Sequence, residues 1–599
     1  MTHDPPTPAR SSRSPRGDVI SLALGALPGI LLGAYATGLL LFINPELAQT
    51  PAVVLRGVAL YGGLFGAASC LLSLLVAGPS AARARALLPW SLTFVLALTA
   101  VSTWWHASLF SYSLPPGINV RLIKAAVLLS VAALAAFLTA LSHTLARRPY
   151  GRRSRILLAA LSVAVLYVMV ERRAAFDPPR SAAPLPSETS YRSRPDLWVI
   201  GIEGATLDAI LPLAEQGELP FFARLLAQGA SARLASLASV VEPALWTTVA
   251  TGRHPYRHGV VGERVYPAGL LGPGRTLRLV PAAFRWWGFL GPPRPVDAEQ
   301  RRSSALWEIF SRLDIPPGVV GWPATHPLRQ PMAYAFSERY FDGVLREASA
   351  RPSELAERGV LFRVAAEDLD PELVEPLGEP LSYPFLQALA ADAWRESLAL
   401  FMLDQRPEVD ALFLRLEGLA DVSRRYYGGF AAVHFDGAQD PKRQEAARLV
   451  AAYYRHLDRL LAALDARPGR GRVLAVVSAS GWREPRGWRR LSALSRRGAL
   501  RGSQAGGPDG MLLLSGPGVQ AGLRLAKAEL VDVLPTLLYS VDLPIARDFD
   551  GRVLTAAFES AFLARQPVTF VPSYETLALE EAPRPGPELM VAPPPRSGR

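Results

Sequence analysis

Cysteine is almost absent from this chain of 599 residues, which contains one, Cys70. A single thiol cannot form an internal disulfide, and a cysteine-based metal site is excluded as well. Histidine is also scarce, with eight residues and none after His456. Few of the basic residues are lysines, so the net charge of +12 comes almost wholly from arginine. Any exported domain of this chain would therefore be stabilised by its hydrophobic core alone.

Half of the chain is hydrophobic, and five apolar stretches contain no acidic residue. Each stretch is long enough, or nearly so, to cross a bilayer, which takes about 20 residues. The absence of carboxylates gives no support to a proton relay, so we interpret the stretches as an anchor rather than a transporter. The alternative, that the protein works chiefly through this bundle, is disfavoured for the same reason. The stretches are 19–43, 52–77, 87–110, 119–142 and 155–170.

Basic residues occur in alternate loops between these stretches, which predicts a cytoplasmic N-terminus. The loops "NPELAQT" and "SYSLPPGIN" contain none. Five crossings would place the chain after about residue 172 on the periplasmic side of an inner membrane. Because the arginines lie between apolar stretches and in the tails, the charge indicates an integral membrane protein and no nucleic-acid partner. The arginines are Arg10, Arg13, Arg16, Arg83, Arg85, Arg147, Arg148, Arg152, Arg153 and Arg155.

Composition divides the chain into five regions. A basic cytoplasmic tail precedes the membrane region, and a linker rich in Pro and Ser separates it from a large extracytoplasmic domain. The last residues are again Pro-rich, which predicts disorder. The regions are 1–18, 19–172, 173–195, 196–579 and 580–599.

Short apolar runs alternate with helical patterns in the large domain. "DLWVIGI", "DALFLRL", "RVLAVVS" and "GMLLLSG" are predicted strands, and 445–466 has the spacing of a long amphipathic helix. This alternation predicts an α/β fold with a mostly parallel sheet between helices, preceded by an all-α bundle of five helices. Ligands of such sheets bind beyond the carboxyl ends of strands. The segments after Ile202, Leu416 and Val477 are therefore the candidate site.

Four runs in this domain carry a family resemblance: "VIGIEGATLDAILPLAEQGELPFFARLLAQG", "WTTVATGRHPYRHGV", "LFLRLEGLADVSRRYY" and "LPTLLYSVDLPIARDFDGRVL", in this order over nearly all of 195–555. With them the domain resembles the type I phosphodiesterase and nucleotide pyrophosphatase branch of the alkaline phosphatase superfamily. The combination with five spans is also similar to the layout of lipid A phosphoethanolamine transferases and lipoteichoic acid synthases. The resemblance implies two divalent metals, usually zinc, held by Asp and His side chains, and a Thr or Ser nucleophile.

Most positions that the resemblance assigns to this chemistry are substituted. Glu203 replaces an Asp ligand, Glu242 stands at the nucleophile position, and Asp421 is unchanged. At the position of a His ligand, Arg425 has no lone pair for a metal. The "SASG" turn replaces an Asp-His pair, and a Gln replaces the final His. The remaining substituted positions are Ala479, Ser480 and Gln504.

These substitutions indicate that the bimetal site has been dismantled. We expect Glu203, Glu242 and Asp421 to converge, and Arg425, with Arg424, to supply the missing positive charge and to bind anions. The alternative is that these groups are ordinary solvated charges. A remote His434 is a further candidate ligand.

Three functions follow from these alternatives. The first is a membrane-anchored pseudoenzyme that binds a protein partner or an anionic lipid or envelope ligand. The second is an active metal-dependent phosphodiesterase or phosphotransferase with a rebuilt site, acting on lipid, nucleotide or cell-envelope phosphoesters. The third is a function carried out mainly by the membrane bundle, with the outer domain in a structural role. The arginine-rich segment 483–504 is either a headgroup-binding surface or a solvated loop.

Overall fold

The structure is a computed structural model. Some predicted regions lie outside the residues it describes: most of the basic tail, nearly all of the linker, the Pro-rich tail and most of the arginine-rich segment. The described residues are 15–45, 47–78, 80–167, 194–238, 240–281, 291–344, 347–378, 380–469, 471–485 and 500–575.

The described chain contains both helices and strands. The helices are α1 Pro15–Ile43, α2 Pro51–Ala77, α3 Ala81–Leu109, α4 Pro116–Leu145, α5 Arg152–Val163, α6 Leu207–Glu215, α7 Pro220–Gln228, α8 Glu242–Thr251, α9 Pro255–His258, α10 Leu306–Arg312, α11 Glu338–Phe341, α12 Leu355–Arg358, α13 Pro371–Val374, α14 Tyr383–Gln405, α15 Gly418–His434, α16 Pro441–Asp465, α17 Val533–Ser540 and α18 Ser560–Arg565. The strands are β1 Leu197–Ile202, β2 Ala230–Ala235, β3 Arg264–Pro267, β4 Thr276–Leu277, β5 Arg294–Pro295, β6 Gly318–Val320, β7 Tyr334–Phe336, β8 Ala350–Arg351, β9 Ala411–Leu416, β10 Val473–Ser478, β11 Gly510–Ser515, β12 Leu523–Glu529, β13 Ile545–Ala546 and β14 Phe570–Val571.

The chain forms two compact units. The first unit contains residues 1–177 together with 264–295, and the second contains 178–263 and 296–599. The sequence did not predict that 264–295, which is inserted in the large domain, would fold with the N-terminal helices. The limits of the other predicted regions stay predictions.

Four helices of the first unit, α1 to α4, are long and apolar enough to cross a membrane. Their mean hydropathy over the best window lies between 1.6 and 2.2. The prediction of a fifth span is not confirmed in the described part of the chain. There α5 has 12 residues and continues only as a 3-10 turn, Ala164–Leu166. Residues 168–170 of the predicted span lie outside the description.

The inserted segment 264–295 packs against the end of α1 within the first unit. Asn44, which follows α1, is buried; its amide donates to the Leu279 carbonyl at 2.7 Å and accepts from the Arg278 and Leu279 amides at 3.0 Å each. The segment folds around β3, which pairs antiparallel with β4 and β5. The apolar residues of this contact are Leu40, Leu41, Leu47, Tyr61, Ala268, Leu271, Leu277 and Val280.

The second unit is an α/β domain around a nine-stranded sheet, in the order β12-β2-β11-β10-β1-β9-β6-β7-β8. The four predicted strands are confirmed as β1, β9, β10 and β11, and the predicted long helix is α16. The sheet is mixed, because β11 and β8 run antiparallel to their neighbours. The sheet is buried on both sides: Trp198 and Ile200 of β1 join one core, and Leu197 and Val199 join the other.

Candidate functional site

The candidate site lies where β10, β1 and β9 end. These three strands are parallel neighbours, with β1 in the middle, so their carboxyl ends share one edge of the sheet. Glu203 follows β1, Glu417 follows β9, and the Ala479-Ser480 turn follows β10. This is the edge at which α/β sheets bind ligands.

Glu203 is buried, with 3 % of its surface exposed. Its Oε2 accepts a hydrogen bond from the Trp246 indole and lies 3.3 Å from Nη2 of Arg415. Its Oε1 accepts from the Gln504 amide at 3.4 Å. Burial raises the pKa of Glu203, and the charge of Arg415 opposes this shift. Arg415 therefore favours the ionised form of a carboxyl whose burial favours the neutral form.

Arg415 is the cation at the centre of the site. It belongs to β9 and is 1 % exposed, with its guanidinium 5.3 Å from the centre of the Trp246 ring. Besides Glu203, Nη2 forms an ion pair with Glu242 and Nη1 one with Glu417. One guanidinium thus joins three glutamates that come from separate parts of the sequence, a geometry suited to its planar set of donors.

Glu242 is the first residue of α8 and Pro243 the second, and the helix has no side-chain cap. A carboxylate is favourable at the positive end of a helix. The side chain is 40 % exposed, so it forms the solvent-facing edge of the cluster. At the position where the resemblance expects a nucleophile, the structure thus has a carboxylate already paired with Arg415.

A second arginine, Arg395, extends the cluster on the side of α14. Its Nη2 lies 3.1 Å from Glu417 Oε2, and its Nη1 lies 3.9 Å from Asp392 Oδ1. Burial disfavours the charge of Glu417, but Arg395 and Arg415 together lower its pKa to about 2. We call the five residues Glu203, Glu242, Arg395, Arg415 and Glu417 the arginine–glutamate cluster.

The hypothesis that Arg425 replaces the metal is wrong. Arg425 is exposed, and it makes no ion pair with any carboxylate of the described chain. Asp421 pairs instead with Arg424 at 2.7 Å, and both side chains are more than half exposed. The reason is the register of α15: positions 421, 424 and 425 share its solvent face, whereas Val422 points into the core. Asp421 therefore does not join the arginine–glutamate cluster.

Three other positions singled out in the sequence lie beside Glu203 or the end of β10. Gln504 contacts Glu203, and its amide also donates to the Ser480 hydroxyl at 3.0 Å. Ala479 is buried in the core and contributes no polar atom.

His434 is remote from the site. It is the last residue of α15 and lies about 24 Å along the helix axis from Gly418. Its ring packs on Phe430, at 4.2 Å between centres.

The residues present do not fit a pair of divalent metals. A zinc site needs three or four ligand groups with free lone pairs on converging atoms. Within the described residues, no group of three His, Cys, Asp or Glu side chains is arranged to hold a metal. The glutamates that do come together converge on the guanidinium of Arg415, which has no lone pair to offer.

Sequence reasoning missed Arg415, although a signal was present. The run "ALFLRLEG" contains a charged residue inside an otherwise apolar, fully buried strand. An arginine in such a position is almost never unpaired, so it predicts carboxylates near the end of the strand. A second signal is Gly201, opposite Arg415 in the register of β1 and β9. A Cβ there would lie 2.8 Å from the Trp246 ring, so the glycine leaves room for the indole that binds Glu203.

Residues 197–484 match the family model for type I phosphodiesterase / nucleotide pyrophosphatase. The match contains Glu203, Glu242 and the whole arginine–glutamate cluster, and it supports the resemblance over this part of the chain. It covers slightly less than half of the protein and does not include β11 or the closing stretch. No characterised protein in a curated set matches the sequence significantly.

Solved structures with some similarity include three phosphoester- or phosphonate-related proteins. Human ectonucleotide pyrophosphatase / phosphodiesterase 5 is 10 % identical over 61 % of this chain and 100 % of its own, with a TM-score of 0.37. Phosphonoacetate hydrolase from Sinorhizobium meliloti 1021 is 17 % identical over 52 % and 62 %, with 0.31. A mutant of alkaline phosphatase PafA is 12 % identical over 63 % and 100 %, with 0.35. Scores this low carry no argument about activity.

Proposed function

We propose that the protein is a membrane-anchored pseudoenzyme: its large domain keeps a phosphodiesterase-like scaffold and binds a protein partner or an anionic ligand without turnover. The observation that carries this proposal is the position of Arg415. Its guanidinium pairs with Glu203 and Glu242, the residues at the first ligand position and the nucleophile position of the resemblance. A guanidinium supplies fixed positive charge there, but it cannot accept a proton from a nucleophile or activate water.

Metal analysis tests this proposal. The purified full-length chain is expected to contain zinc and manganese far below one ion per chain, and to hydrolyse bis(4-nitrophenyl) phosphate no faster than buffer supplemented with the same metals. The reason is that Arg415 would have to leave before the glutamates could act as ligands. A matched measurement on Arg415→Met shows whether the opened cluster gains metal affinity.

Stoichiometric metal in the unmodified protein, together with hydrolysis above that of the metal-supplemented buffer, would contradict the proposal. If its hydrolysis also disappeared in Glu203→Gln or in Asp421→Ala, the second function, an active metal-dependent phosphodiesterase with a rebuilt site, would replace it. Metal that remains bound in both variants without any hydrolysis would place the ion elsewhere in the chain and leave the assignment of this cluster intact.

We further propose that the large domain lies outside the cytoplasm. Four crossings return the chain, at Leu145, to the side on which α1 begins. Asn44 marks the opposite side, and it binds the inserted segment 264–295. The chain must then cross the membrane once more between Leu145 and the inserted segment. The helix that starts at Arg152 is the candidate for this crossing. Without the arginines at its start, the apolar part from Ile156 to Leu166 spans about 16 Å as a helix. Residues up to about 170 and the long side chains of flanking arginines are then needed to bridge a core of about 30 Å.

Thiol labelling tests this topology because Cys70 is the only natural cysteine. In a Cys70→Ser background, Ser111→Cys and Ser560→Cys are expected to react with a membrane-impermeant maleimide on intact spheroplasts. Arg148→Cys, in the loop between α4 and α5, is expected to react only after permeabilisation. Protection of Ser560→Cys together with Arg148→Cys would place the large domain in the cytoplasm.

A further inference from the structure

Five arginines are concentrated where α4 meets α5: two lie in the turn between the helices and three in the first four residues of α5. All five side chains are exposed, and none forms an ion pair within the described part of the chain. Elsewhere in the described chain many arginines pair with carboxylates, so this turn is an uncompensated patch of positive charge. Its members are Arg147, Arg148, Arg152, Arg153 and Arg155, which we call the α4–α5 arginine patch.

The turn that displays this patch has a defined structure. The ring of His143 lies 2.8 Å from the Ser154 hydroxyl and 3.1 Å from the Arg148 carbonyl. The same ring stacks on Tyr150 at 4.3 Å between centres. These contacts tie the end of α4 to the start of α5, so the arginines are held on an ordered turn.

The placement of three of these arginines is unfavourable for the isolated helix. Arg152, Arg153 and Arg155 lie within the first four residues of α5, which has neither an acidic residue in its first turn nor a side-chain cap. The N-terminus of a helix carries partial positive charge, which repels cations and attracts anions. An external anion at this turn would offset both the helix charge and the mutual repulsion of the arginines.

Apolar side chains adjoin the patch on both helices. Leu145 is 75 % exposed at the end of α4, and Ile156 and Leu157 of α5 are 58 % and 44 % exposed. A soluble anion would need no such border, whereas a lipid presents a phosphate directly beside its acyl chains. Clusters of four to eight basic residues next to a membrane-spanning helix bind anionic lipids in this way.

We propose that the α4–α5 arginine patch binds the phosphate headgroups of anionic phospholipids, with the exposed leucines and isoleucine in contact with the acyl chains. By the distribution of basic residues, the patch faces the cytoplasmic leaflet. The bound lipid would fix the start of α5 at the membrane surface. This role is independent of the arginine–glutamate cluster and of whether the large domain turns over a substrate.

Native mass spectrometry of the full-length chain from mixed micelles tests the proposal. With phosphatidylglycerol as the probe, Arg152→Gln/Arg153→Gln is expected to weaken lipid binding at least about tenfold, since each basic residue near the surface contributes to attraction. Arg83→Gln/Arg85→Gln is the matched control: it removes two exposed arginines from the first five residues of α3, predicted to face the same side, and should change binding less than about twofold. Arg152→Lys/Arg153→Lys, which keeps the charge, should retain most of the binding.

Three results would overturn the proposal. They are equal binding of phosphatidylcholine, an equal loss in the two glutamine variants, and complete competition by glycerol phosphate at the same concentration as the lipid. The last result would indicate a site for a soluble phosphate instead of a membrane lipid. Thermal unfolding of each variant shows that the comparison is made on folded protein.

Discussion

Arg415→Ala is expected to destabilise the large domain by roughly 3–5 kcal/mol, the cost of breaking a buried ion pair. The substitution leaves Glu203 buried without a cation, and Glu242 and Glu417 each lose a partner. Urea unfolding of the full-length chain in detergent measures the loss. Tryptophan fluorescence reports on it directly, since the Trp246 indole binds Glu203.

The matched control is Arg425→Ala, which removes an exposed arginine from the neighbouring helix. Its effect should stay within about 0.5 kcal/mol. Adding Glu203→Gln to the Arg415→Ala chain should restore part of the lost stability, because the orphaned buried charge is then removed. Equal effects of the two arginine substitutions would show that Arg415 is not the cation on which the site depends.

The same cluster predicts a loss of stability in acid. Because the pKa of Glu417 is lowered to about 2 in the folded protein, its ionised form stabilises the fold above the pKa of about 4.3 that it has in an unfolded chain. This contribution disappears as the pH falls from about 4.3 to 2. Since Glu417 is 38 % exposed, solvent weakens the effect, and Glu417→Gln should reduce the slope of stability against pH in this window.

The strands that carry the site could be predicted because their information is local. An apolar run bounded by turn residues predicts β1, β9 and β10 whatever surrounds them, and parallel neighbours bring Glu203 and Glu417 to one edge. The structure also brings Gln504 to Glu203, although its loop is remote in sequence.

The identity of the cation could not be obtained in the same way. The resemblance directed attention to Arg425, because that position follows the right strand. Whether a side chain after a strand faces the sheet edge or the solvent depends on where the next helix begins, and α15 begins at Gly418. With that start, position 425 falls on the exposed face, and the cation comes from inside β9 instead.

The contact between Asn44 and the inserted segment could not be predicted from the sequence either. The two lie 235 residues apart, and neither has a periodicity that indicates the other. An asparagine after an apolar helix usually ends it and faces water; here its amide satisfies backbone groups of the segment. Such a contact depends on the paths of two chain segments, and these are a property of the fold as a whole.

Asp392→Ala is expected to have the second large effect, a loss of roughly 3–5 kcal/mol. The carboxylate is fully buried in α14 and accepts from the backbone N–H groups of Glu417 and Gly418 at 2.9 Å and from the Tyr453 hydroxyl at 2.8 Å. Its removal leaves the two backbone N–H groups without an acceptor, at about 1–3 kcal/mol for each buried group that finds no new partner, whereas the Tyr453 hydroxyl keeps the Ala388 carbonyl at 3.2 Å. It also frees the start of α15, which positions Glu417 for Arg395 and Arg415.

Asp404→Ala is the control on the same helix, because its carboxylate is 62 % exposed and its ion pair in the described part of the chain is with Arg467; we expect a change within about 0.5 kcal/mol.

The pH dependence separates Asp392 from an ordinary packing residue. Burial raises its pKa to about 6, above the value of about 3.9 in an unfolded chain, so the folded protein holds a proton that the unfolded chain releases. Stability should therefore fall as the pH rises from about 4 to 6, opposite in sign to the effect of Glu417, and Asp392→Asn should abolish this component. A pH profile of unfolding that is the same in Asp392→Asn and the unmodified chain would mean that the carboxyl is not held in this buried network.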